Sequence, residues 1–144
     1  METSLIEKLE KTRYNLLKWL TIGWGIWFGT FILKNLLQNQ LILQFATWIG
    51  LLGWVIFSIN LVKYFKLKRE LKWDKKLERA LNDELHQLNM FQSFFIGYCI
   101  IILVTGILFV LSLYITLPAV LVTEIILYIG VLSVLISGLI YNRD

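Results

Sequence analysis

Apolar positions along the chain gather into four long runs separated by polar or charged breaks. No charged residue stands between Leu41 and Val62, and none between Met90 and Ala119. A helix of about 20 residues rises about 30 Å, the thickness of the hydrocarbon core of a bilayer. The runs therefore predict four membrane-spanning helices, at about 16–37, 41–62, 92–114 and 118–141. They are continuously apolar, without the alternation of lipid-facing and lumen-facing residues that a transmembrane barrel requires. The expected fold is all-α, one integral-membrane four-helix bundle over residues 1–144 with a helical connector at 63–91 between spans two and three.

The breaks predict how the spans are joined. Ser4-Leu5-Ile6-Glu7 fits a capping box, in which the serine accepts from the backbone N–H at Glu7 and the glutamate reaches back. Leu5, Leu9, Thr12 and Leu16 share one face at helical spacing. A short amphipathic helix is expected there, running straight into the first span or lying on the membrane surface. Gln38-Asn39-Gln40 is a short uncharged turn, so the first two spans should pack antiparallel. Ile115 to Leu117 forms the second such turn, and Pro118 suits the first turn of the last helix, where its missing N–H is not needed. In the connector the chain must reverse. Asn82-Asp83 is the expected point, with Lys72-Trp73-Asp74 as the second choice, and a bent pair of helices is expected over a single rod.

Small residues mark where spans should meet. Gly25 and Gly29 make a GxxxG pair in the first span, Gly50 and Gly53 occupy the second, and Gly130, Ser133 and Ser137 lie near one stripe of the fourth. In lipid such positions let backbones approach closely, so dispersion accumulates. Contact with another helix of the same chain is the expected use of Gly25 and Gly29, a dimer seam the alternative. Cys99, the single cysteine, allows no disulfide within the chain and is expected as a small buried hydrophobe.

Charge adds direction. Charged residues make up 17% of the chain, below the roughly 25% of soluble domains. The stretch Lys63–Asn89 holds eight of the fourteen Lys and Arg, four more fall at or before Lys18, and neither short turn contains any. The positive-inside rule then places both termini and the connector in the cytoplasm. On a helical wheel Lys68, Lys72, Lys75, Lys76 and Arg79 share one face of the connector, with leucines opposite. That face is expected to meet anionic lipid headgroups or another protein. Glu70, Asp74 and Glu78 form a like-charge column that nearby cations, Lys8 and Lys11 among them, would relieve. The net charge of +4 does not imply nucleic acid, because the basic residues sit at membrane boundaries and no binding module accompanies them.

Candidate chemistry is sparse. Glu124 is the one acidic residue inside a predicted span, and Asn60 is a polar position near the inner boundary of the second. Intramembrane carboxylates often mark ion or proton paths, but a glutamate near a helix N-terminus is also stabilised by the dipole. Asp83 and His86 can meet at i, i+3, yet two such ligands without further His or Cys do not define a metal site. No nucleophile elbow or phosphate loop occurs, so neither an enzyme nor a cofactor is expected.

Ala80-Leu81-Asn82-Asp83-Glu84 resembles a segment of small uncharacterised bacterial multi-span membrane proteins, in which an LNDE-like stretch stands just before an apolar span. That resemblance implies a bacterial inner membrane and no particular activity. Fluoride channels and small multidrug transporters share the size and span number. The glycine- and arginine-bearing pattern of the first and the first-span glutamate of the second are missing here. The expected function is non-enzymatic, an accessory or scaffold subunit that binds other proteins through its spans and connector. Its partners would be the bilayer and either further copies of itself or another membrane protein. The alternative is a homo-oligomeric channel or small transporter.

Overall fold

The computed structural model of the chain describes residues 2–37, 40–73 and 84–142. Among the described residues there are four helices: α1 at Glu2–Leu36, α2 at Gln40–Trp73, α3 at Glu84–Ser112 and α4 at Ala119–Tyr141. All four are long and apolar enough to cross a membrane. A helix closes its backbone hydrogen bonds within itself, which is what a chain surrounded by hydrocarbon requires.

α1 is continuous over 35 residues, so the N-terminal amphipathic turns run straight into the first span. α2 continues over 34 residues, carrying the second span without a break into the connector as far as Trp73. Lys72 and Trp73 are therefore still helical, and the reversal does not occur at those two residues. Asn82-Asp83 lies outside the described residues. α3 unwinds after Ser112 through short-range bonds from Tyr114 N and Ile115 N to Leu111 O, at 3.0 Å each. Pro118 is the N-cap of α4 and not its first helical residue, one position earlier than the sequence implied. Its carbonyl accepts the first helical bond, from Val122 N at 3.1 Å.

The helices meet in the order α2, α1, α4, α3, with α1 and α4 at the centre. Close packing follows the glycines. A Cβ on Gly23 would stand 2.7 Å from the Phe57 backbone nitrogen, and one on Gly53 only 2.6 Å from the Trp27 backbone nitrogen. At Gly50 the added carbon would run into Thr30 Oγ1. The register is antiparallel, since positions descending along α1 meet positions ascending along α2. On the α3–α4 seam Gly97 faces Val134, and a Cβ on Gly130 would meet Ile101 Cδ1 at 2.7 Å. Gly130, Ser133, Ser137 and Gly138 are the buried residues of α4.

Aromatic rings fill the space between α1, α2 and α4. Trp24 stacks on Phe28 with centroids 4.9 Å apart and meets Trp27 edge-on at 5.5 Å. Phe57 of α2 lies 5.5 Å from Trp24, and Tyr128 of α4 stacks on Phe28 at 6.2 Å. Offset and edge-to-face rings add roughly 0.5–1.5 kcal/mol per pair beyond the area they cover. Much of the outward surface of α2 and α3 stays uncovered. Phe45, Trp48, Leu52, Ile102 and Phe109 are all more than half exposed, which suits lipid.

Candidate functional site

Two polar regions lie at opposite ends of this apolar layer. The first joins α1 to α4. Asn35 Nδ2 donates to both carboxylate oxygens of Glu124, at 2.8 and 2.6 Å. One and two turns further along α4, Tyr128 and Leu132 lie against the GxxxG positions. A Cβ on Gly29 would stand 3.3 Å from Tyr128 Oη, and one on Gly25 would stand 3.7 Å from Leu132 Cδ1. The same antiparallel register thus sets Leu132 on Gly25, Tyr128 on Gly29 and Glu124 on Asn35. Tyr128 Oη also donates, at 3.4 Å, to the Gly25 carbonyl. Nearby, Lys34 Nζ lies 5.7 Å from the Phe31 ring centroid, a cation–π distance.

Sequence reasoning singled out Glu124 but missed Asn35. The signal was present in the spacing: Asn35 follows Phe28 by seven residues, so both stand on the face that Gly25 and Gly29 turn to α4. Gln44 and Thr105 are exposed, and Thr47 and Thr123 donate to the carbonyls of Leu43 and Ala119. Inside the layer several hydroxyls are spent locally. Thr21, Thr30 and Ser133 donate to the carbonyls of Leu17, Trp27 and Gly130 in their own helices.

The second polar region is the end that carries both chain termini. Asn89 Nδ2 donates to the Tyr141 carbonyl at 2.9 Å, joining the start of α3 to the end of α4. Ser93, almost fully buried, and Leu17 both lie against Gly138, so α1, α3 and α4 converge there. Beyond this level α1 and α2 continue side by side. Their lengths correspond to about 52 and 51 Å, some 20 Å more than the hydrocarbon core, and the short link at 38–39 puts the excess at the terminal end. Arg13 sits between these extensions. Burial lowers the pKa of its guanidinium below the usual arginine value, and the nearby Glu10 carboxylate works the other way.

Lys68 and Arg69 are exposed on the α2 extension. Lys72 belongs to the same helix, its side chain outside the described set, and Lys75, Lys76 and Arg79 lie outside the described residues. So do the proposed Asp83 partner of His86 and the Asp74 and Glu78 members of the acidic column. Asn60 Nδ2 donates to the Ile56 carbonyl at 2.7 Å, a bond within its own helix.

Cys99 differs from expectation. It is exposed, on the outer side of α3, because the buried side of that helix is taken by Ser93 and Gly97. Gly106 has nothing within 4 Å of where its Cβ would be.

The chain matches no family model, and comparison with curated proteins and with solved structures returns no match.

Proposed function

We propose that the protein is a non-enzymatic accessory or scaffold subunit of a bacterial inner membrane. Its four helices form the membrane bundle, and its termini and connector lie in the cytoplasm. It binds another protein through the basic helical extension of α2 and the connector that follows.

The observation that supports this reading is the continuity of α2. A span that ended at the membrane surface would leave Lys63–Trp73 as a flexible loop, free to follow the headgroups. An unbroken helix carries Lys68, Arg69 and Lys72 away from the bilayer on a stiff support, beside the extension of α1. Binding surfaces on regular elements lose little ordering entropy when a partner docks. The interior favours binding over transport. Between α1, α2 and α4 the space is filled by packed rings, the threonine hydroxyls there are bonded to their own backbones, and the Tyr128 hydroxyl donates to the Gly25 carbonyl.

Reversing Lys72, Lys75, Lys76 and Arg79 to Glu tests the reading in cells. The variant is expected to insert at the wild-type level and to lose its partner on affinity purification. Undiminished recovery of that partner would remove the connector from the account.

A further inference from the structure

At the level where α1 and α2 leave the hydrocarbon, the two helices open into a cleft of about 440 Å³. Thr12, Asn15, Leu16 and Trp19 of α1 line one side, and Asn60 and Lys63 of α2 the other. The volume falls within the range of about 300–1,000 Å³ typical of small-ligand sites. Asn15 and Lys63 are exposed, and no hydrogen bond or ion pair engages either side chain among the described residues. The bond from Asn60 to the Ile56 carbonyl leaves the rest of that amide facing the opening. Glu10, the nearest acidic residue along α1, has its charge set against Arg13.

We infer that this cleft binds the phosphate of an anionic glycerophospholipid from the leaflet on the side of the chain termini. Depth, charge and donors agree. Asn15 stands one residue before the first span and Lys63 one residue after the second, which is headgroup level. An ammonium pairs with a phosphate as a point charge, and an asparagine amide adds a directed donor to the same oxygens. Trp19, 49% exposed, lies one turn deeper along α1 than Asn15 and presents the amphipathic ring that favours the membrane interface. Leu16, between Asn15 and Trp19 along α1, adds apolar wall on the way down to the acyl chains. A lipid held here would fill the notch between the two helices just below the extension, bracing its base. The site is separate from the basic face of the connector and does not depend on its docking role.

Native mass spectrometry of the purified full chain in detergent tests this. Dioleoyl phosphatidylglycerol, dioleoyl phosphatidylcholine and inorganic phosphate would be titrated in parallel. Phosphatidylglycerol is expected to bind one per chain ahead of phosphatidylcholine. Lys63→Gln should weaken it about fivefold, the loss expected for one lysine near an anionic surface. Lys63→Arg should retain binding, which separates lost charge from lost folding. Lys18→Gln, an equal charge change at similar depth away from the cleft lining, should bind as wild type does. An equal loss in Lys18→Gln would reduce the effect to general attraction and overturn the site. Displacement of the lipid by inorganic phosphate at comparable concentration would overturn the lipid assignment in favour of a soluble phosphate.

Discussion

At Gly53 a single added methyl would stand 2.6 Å from the Trp27 backbone nitrogen and 2.8 Å from Ile26 Cγ2. Neither neighbour can swing aside, because one is backbone and the other a β-branched side chain held in the seam. Gly53→Ala should therefore push α1 and α2 apart and cost about 1–3 kcal/mol, as overpacking does. Gly106 is the matched control. With open space around it, Gly106→Ala should be neutral or stabilise by up to about 1 kcal/mol through helix propensity. Unfolding midpoints of the two variants in one detergent check the pair, and a Gly53→Ala protein as stable as wild type would contradict the packing described. At this scale the sequence was only partly legible. Small residues at helical spacing identify Gly25, Gly29, Gly50 and Gly53 as positions of close approach, but not which helix each will meet. That depends on rotation about the axis, which moderate differences in packing decide. Cys99, expected to be buried, was misjudged for the same reason. For Asn35 the spacing from Phe28 and the glycines carried the signal, but around Cys99 the run is uniformly apolar and nothing local says whether a residue points toward a neighbour or toward lipid.

Among the elements, the existence of four long apolar helices was readable because the runs are unbroken and the breaks between them polar. Their ends were less so. α1 and α2 each extend well past the apolar run, since no Pro or Gly interrupts Lys63–Trp73 or the residues before Asn15, and a helix propagates more cheaply than it restarts. Hydropathy marks where a helix leaves the lipid, not where it stops. The side on which these extensions emerge is a testable matter. In a Cys99→Ala background, Thr116→Cys in the short α3–α4 turn should react with a membrane-impermeant maleimide on intact cells. Lys68→Cys on the α2 extension should react only after the membrane is opened. The reverse pattern would invert the orientation that the basic residues imply.

For the whole molecule, the contacts run α2 to α1 to α4 to α3, leaving broad apolar faces on the two flanking helices. Each half is a glycine-packed antiparallel pair, and α1 joins α4 through Gly25, Gly29, Tyr128 and the Asn35–Glu124 bond. A partner in the membrane would meet α2 or α3. A partner in water would meet the extensions of α1 and α2. The most direct test of an accessory role is the mass of the intact assembly, extracted from its native membrane with its neighbours still attached. The account predicts one or two copies of the 16.9 kDa chain bound to a different polypeptide. A mass at a whole multiple of 16.9 kDa with no other subunit, joined to ion flux in proteoliposomes, would contradict it and favour a homo-oligomeric channel.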